Sequence, residues 1–145
     1  MSIKSLKTPL RYPGGKSRAC KKMDIYIPDL REYDSYYEPF LGGGSVAIHI
    51  TKKYPHLHIN VNDLYKPLYN FWLCLQRDGE LLAGELKDLK SSHSTPDLAR
   101  GLFIESKDII NDDTKSELER AVAFYIVNKC SFSGLTESSS FSEQA

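Results

Sequence analysis

Three consecutive glycines, Gly42-Gly43-Gly44, follow the run Tyr37-Glu38-Pro39-Phe40-Leu41 and lead into Ser45 and a small-residue helical start. This pattern constrains the fold more than any other in the chain. A strand ending in such a turn lets backbone N–H groups come within van der Waals reach of a ligand, and a Cβ at the tightest points would block that approach. A second apolar run, Ile59-Asn60-Val61-Asn62, ends at Asp63. A carboxylate about 20 residues past a glycine turn is where nucleotide-binding folds put the group that hydrogen-bonds ribose hydroxyls. The two features in this register point to a site for an adenosine-containing cofactor.

The surrounding pattern predicts an α/β unit. Residues 1–16 hold Pro9, Pro13, Gly14 and Gly15 and read as an extended arm ending in a tight turn. Ser17 is placed to cap a helix over 18–27, stopped by Pro28. Residues 35–40 read as a buried strand, 44–53 as a helix, and 57–62 as a second strand. Pro67 suits the first turn of a helix running to Gln76. Further helices are predicted over 80–90, 97–110 and 115–129. Thr114 with Glu117 three residues on forms a capping box for the last of these. Two strands are too few for a stable doubly wound sheet, and the polar stretch Thr136 to Ser142 has no regular period. The chain therefore reads as a fragment.

Composition narrows the classes. With 145 residues, 26% charged and 41% hydrophobic, the chain suits one ordinary globular domain. No apolar stretch is long enough to cross a bilayer, and the N-terminus has no apolar h-region of a secretory signal. Cys20, Cys74 and Cys130 are odd in number and widely spaced. That favours reduced thiols in the cytoplasm over a disulfide frame or a zinc site. The four histidines add no metal-ligand spacing, so no metal is expected. Net charge is zero, yet residues 1–22 hold Lys4, Lys7, Arg11, Lys16, Arg18, Lys21 and Lys22 and no acid. Such a leader offers local phosphate contacts or is a solvated basic arm. The neutral whole argues against holding nucleic acid by electrostatics alone.

Each motif has more than one reading. Gly42-x-Gly44-x-x-Ala47 satisfies the dinucleotide fingerprint, but a lone match is weak, and a basic, proline-containing arm precedes it instead of the fingerprint strand opening the fold. Gly15-Lys16-Ser17 resembles the end of a phosphate-binding loop. The full pattern needs a glycine at position 10, which is Leu, so an NTPase is rejected. In the turn Arg11 to Lys16, Tyr12 either stacks on a planar ligand or packs, and Lys16 meets an anion or water. Phe132, among small polar residues after the last helix, is either an exposed wedge of the kind that enters a base stack or a buried anchor for its loop.

Four segments in this order resemble the Dam-type DNA adenine-N6 methyltransferases: Arg11-Tyr12-Pro13-Gly14-Gly15-Lys16, Glu38 to Ser45, Asn62-Asp63-Leu64-Tyr65 with Leu68-Tyr69-Asn70, and Asn128 to Leu135. The resemblance covers essentially the whole chain and takes precedence over the dinucleotide reading, since both cofactors contain adenosine. It implies a Rossmann-like S-adenosylmethionine-dependent methyltransferase core, incomplete, with a helical target-recognition segment. By this resemblance residues 1–78 form the cofactor-binding α/β part and 79–145 the helical start of the region that reads double-stranded DNA. Tyr12 and Lys16 would line the S-adenosylmethionine pocket. Phe40, Gly42, Gly43, Gly44 and Ser45 would wrap the methionine and sugar portions, with Glu38 near the amino group and Asp63 on the ribose hydroxyls. Arg11 would approach the target DNA, Phe132 would be the inserted wedge, and Ser133 and Leu135 would contact bases.

Two departures qualify the resemblance. Where some relatives carry an arginine that reads guanine, this chain has Glu137, which cannot donate to O6 and N7. That puts a GATC target in doubt. The family also methylates with a D-P-P-Y type motif, whose acid accepts from adenine N6 and whose ring stacks on the flipped base. No D-P-P, N-P-P or S-P-P occurs here, and the family places that motif beyond the equivalent of Ala145. The expectation is therefore the cofactor-binding half of such an enzyme, with no catalytic residue in this chain. The alternatives are a non-catalytic cofactor- or DNA-binding remnant and a dinucleotide-dependent oxidoreductase. The sequence gives no oligomeric state.

Overall fold

The computed structural model describes residues 6–134 and 138–142. The chain divides into two compact units, Met1–Leu64 and Tyr65–Ala145. Helices and strands are mixed, and the described strands make one small two-stranded sheet.

The first unit contains α1 (Cys20–Met23), β1 (Ser35–Glu38), α2 (Ser45–Lys53) and β2 (His58–Val61). The two strands pair in parallel, with Tyr36 opposite Ile59 and Glu38 opposite Val61. Parallel neighbours need a crossover, and α2 supplies it. One face of the sheet carries Tyr36 and Ile59 onto a core of Ile50, Tyr54 and Leu57, joined by Ile27, Leu30 and Val46. Val46 and Ile50 are four residues apart on α2, so one helical stripe meets alternate strand positions. The 35–40 segment departs from the predicted buried strand. It is regular only to Glu38, and Ser35 and Tyr37 on its other face are exposed.

The predicted helix over 18–27 shrinks to four residues. Its expected cap, Ser17, is committed elsewhere, its hydroxyl lying 2.8 Å from that of Ser45. The N-cap position falls to Ala19, which makes no side-chain cap. At the other end the Asp24 carboxylate is drawn to α2, 2.8 Å from His49 Nε2 and 3.2 Å from Lys53 Nζ.

The second unit is helical: α3 (Lys66–Ser92), α4 (Pro96–Ile109), α5 (Glu117–Cys130) and a 3-10 turn (Phe132–Gly134). The predicted helices over 67–76 and 80–90 are two limbs of α3, separated by a kink at Asp78 (φ −130°, ψ 32°) and not by a loop. Gly79 follows immediately, and such a residue weakens the helical preference where the bend occurs. Phe71 anchors the core, its ring 5.6 Å from Phe124 and stacked at 5.8 Å on Tyr125. Leu68, Leu82, Phe103 and Val127 are also buried.

The capping box of α5 sits two residues later than predicted. Ser116 Oγ accepts from the Glu119 N–H at 3.1 Å, and the Glu119 carboxylate accepts from the Ser116 N–H at 2.9 Å. Thr114 instead donates to Asp112 through both its N–H and its hydroxyl. Asp112 outcompetes the helix for Thr114 because a short acid two residues back closes a local turn.

Candidate cofactor-binding site

The glycine turn is built by extending the parallel ladder. Asn62 N–H donates to the Glu38 carbonyl and Leu41 N–H to the Asn62 carbonyl, both at 2.9 Å, which carries the chain after β2 alongside the turn. Gly44 N–H then closes onto the Leu41 carbonyl at 2.9 Å. Gly42 and Gly44 have φ of +52° and +71°, in the left-handed region where a side chain is strained. As a result Gly42 N–H points at Asp63 and donates to its Oδ2 at 2.8 Å.

The ring of Tyr12 lies over this turn. A Cβ on Gly42 would stand 3.1 Å from Tyr12 Cε1, and one on Gly43 only 2.7 Å from Tyr12 Cβ. The close approach that the glycines permit is thus made by an aromatic side chain from the arm. Burial and the nearby Asp63 carboxylate together push the Tyr12 phenol above its ordinary range, so it stays neutral. The Thr8 hydroxyl donates to the Gly43 carbonyl and also ties the arm to the turn.

Glu38, at the end of β1, is half-buried. Desolvation raises its carboxyl above the ordinary 4.5, while hydrogen bonds from the Tyr36 hydroxyl (3.2 Å) and the Ala47 N–H in the first turn of α2 pull the other way. Tyr36 responds in kind: burial first, and then Glu38, pushes its phenol up to about 12. Ser45 opens α2 and faces Ser17, and the Cys20 thiol donates to the Ser45 carbonyl at 3.6 Å.

The predicted cofactor residues therefore do not form one cluster. Tyr12, Gly42, Gly43 and Asp63 meet directly. Gly44 closes the turn, and Glu38 and Ser45 flank it. Lys16 folds back on its own loop, its Nζ 2.7 Å from the Gly14 carbonyl. Phe40 points outward at 83% exposure. Sequence reasoning missed Thr8, Tyr36 and Asn62. Tyr36 was findable, since it lies two residues before Glu38 on the same strand face. Thr8 was findable as a local turn former, its hydroxyl accepting from the Leu10 N–H at 3.2 Å. Asn62 acts through its backbone and left no side-chain signal.

Of the predicted DNA residues, Arg11 is exposed in the first unit, beside Tyr12. Phe132 is 67% exposed in the second unit, which removes the reading of it as a buried anchor. Ser133 lies in the 3-10 turn. Leu135 and Glu137 fall outside the described residues. Among the described residues, no group of three His, Cys, Asp or Glu converges as metal ligands would, and no helix is long and apolar enough to cross a membrane.

Comparison with known proteins bears on what this arrangement serves. A type II methyltransferase, M.MjaIII of Methanocaldococcus jannaschii, is 26% identical over 133 residues, covering 87% of this chain and 46% of the relative. A DNA N-6-adenine-methyltransferase of Escherichia phage P1 is 27% identical over 126 residues, covering 87% of this chain and 15% of the relative. The chain thus spans less than half the length of either. A family-wide match is broader, running over residues 12–145 and taking in the end of the arm from Tyr12, the glycine turn, Asp63 and the helical unit together. The chain belongs to the D12 class N6 adenine-specific DNA methyltransferase family.

Proposed function

We propose that the first unit holds S-adenosylmethionine as part of a Rossmann-like methyltransferase core, and that the activity served is methyl transfer to adenine N6 in DNA. The observation that carries the reading is the meeting of Tyr12, the Gly42-Gly43 turn and Asp63 inside a stretch that matches the family from residue 12 onward.

The residues present fit the cofactor's chemistry. The Asp63 carboxylate is held in place by a hydrogen bond from Gly42 N–H, and a carboxylate oriented in this way suits ribose hydroxyls. The half-buried Glu38 carboxylate suits an ammonium of the methionine portion. The neutral Tyr12 ring offers a flat apolar wall beside the turn. When bound, S-adenosylmethionine supplies an electrophilic methyl group. What these residues contribute is placement: carboxylates at both ends of the site would hold the donor in one orientation.

The second unit supplies the DNA-facing part, with Phe132 as the exposed ring that enters the duplex. The D-P-P-Y type motif that acts on the adenine is absent from these residues. Residues 1–145 therefore bind the donor and engage DNA without completing transfer. Titration of the chain with S-adenosylhomocysteine, beside a labelled-methyl assay on duplex DNA, tests this. Saturable binding without transfer is the expected result. Transfer by these residues alone would overturn the assignment of catalysis elsewhere, and tight NAD(H) binding not displaced by S-adenosylhomocysteine would favour an oxidoreductase.

A further inference from the structure

Two described stretches after α5, residues 131–134 and 138–142, pair with each other. Ser131 and Phe141 form an antiparallel bridge. Phe132 N–H donates to the Ser140 carbonyl at 3.0 Å, and Ser142 N–H to the Cys130 carbonyl at 2.8 Å. Two helices hold these paired stretches. From α5, Asn128, 1% exposed, donates through Nδ2 to the Gly134 carbonyl at 3.1 Å. From α4, Arg100, Phe103 and Lys107 recur at helical spacing on one face. Arg100 lies 5.5 Å over the Phe141 ring, Phe103 packs 5.7 Å from it, and Lys107 Nζ donates to the buried Ser139 carbonyl at 3.0 Å.

The arrangement leaves the Phe132 side chain outside while both flanks of its turn are tied down. A free loop carrying a large exposed aromatic would fold the ring inward and hide its apolar surface. Holding the turn from two sides prevents that, and it lowers the ordering cost of an encounter in which the ring must stand out.

We propose that Lys107 and Asn128 are positioning residues for DNA engagement: they fix the paired stretches 131–134 and 138–142 so that Phe132 is presented ready to enter the duplex. This rests on the reading of Phe132 as a duplex-entering ring. Neither residue needs to touch DNA. Lys107 spends its charge on the Ser139 carbonyl, and Asn128 is buried.

The test uses the whole chain and a pool of randomised-sequence DNA duplexes, with binding followed by fluorescence anisotropy across a salt series. Phe132→Ala is measured first and is expected to weaken binding. Lys107→Met should then weaken it by roughly five- to tenfold, the size of one lost hydrogen bond, with the salt slope unchanged. Lys107→Arg should restore it. Hydrogen exchange at the Phe132 and Ser142 amides should quicken in Lys107→Met and recover in Lys107→Arg. Asn128→Asp should behave like Lys107→Met. If that variant does not fold, the partly exposed Lys107 pair decides. A salt slope that falls by about one would mean Lys107 meets a phosphate directly, and would overturn the proposal. So would wild-type affinity in Lys107→Met when Phe132→Ala is defective. No effect of Phe132→Ala would instead remove the underlying reading of the ring.

Discussion

Gly42 and Asp63 are 21 residues apart in sequence and joined by a hydrogen bond, N–H to Oδ2 at 2.8 Å. The bond exists because β1 and β2 run parallel and their ladder continues past Glu38 into the turn. It couples the two features that a nucleotide-type site needs, a backbone free of Cβ atoms and an oriented carboxylate. It also requires the left-handed conformation at Gly42, which no β-branched residue would accept.

Tyr12 and Gly43 should be energetically coupled. An added Cβ on Gly43 strikes the Tyr12 side chain at 2.7 Å, so Gly43→Ala should displace the ring and weaken S-adenosylhomocysteine binding. In a Tyr12→Ala background the same substitution should cost less, giving a coupling of about 0.5–3 kcal/mol in a double-mutant cycle. Additive effects would show that the ring does not rest on the turn.

Glu38 should make cofactor binding sensitive to acid. Its carboxyl is raised above 4.5 chiefly by burial. For stability the sign is that of a raised group: its contribution is fully present below the ordinary carboxyl pKa and is lost as pH rises through the folded value. Binding an ammonium runs the other way, because it needs the ionised carboxylate. Affinity for S-adenosylhomocysteine, measured by calorimetry, should therefore begin to fall at a higher pH than an ordinary glutamate would give. Glu38→Gln should weaken binding at neutral pH and flatten this limb. An unaltered profile in Glu38→Gln would place the ammonium elsewhere.

The cap of α5 gives a stability prediction. Ser116→Ala removes the acceptor for Glu119 N–H and should cost about 1 kcal/mol in denaturant unfolding. Thr114→Ala should cost less, since its bonds close a surface turn on Asp112 and not a helix end. The reverse order would contradict the observed capping register.

The sequence-based reading succeeded where one residue type had one physical role. The run of three glycines marked the turn, the apolar periods located β1, α2, β2 and α5, and the end of the second apolar run pointed to Asp63, which the structure brings against Gly42. It failed where two local partners competed. Ser17 was equally able to cap a helix or pair with Ser45, and only the approach of α2 decides. Thr114 and Ser116 both precede α5, and Asp112 claims the first. The kink at Asp78 was read as a break because Asp78-Gly79 lowers helix preference without saying whether the helix resumes. The ring of Tyr12 over Gly43 had no sequence signal at all, since it depends on the arm folding back across the turn.

The most direct measurement is titration of the chain with S-adenosylhomocysteine, compared between wild type and Asp63→Ala with folding checked by circular dichroism. Saturable binding is predicted for the wild type, and a loss of roughly 1–3 kcal/mol for the variant, through removal of charge-assisted hydrogen bonds to the ribose. Equal affinity in a folded Asp63→Ala chain, or no binding by the folded wild type, would contradict the account.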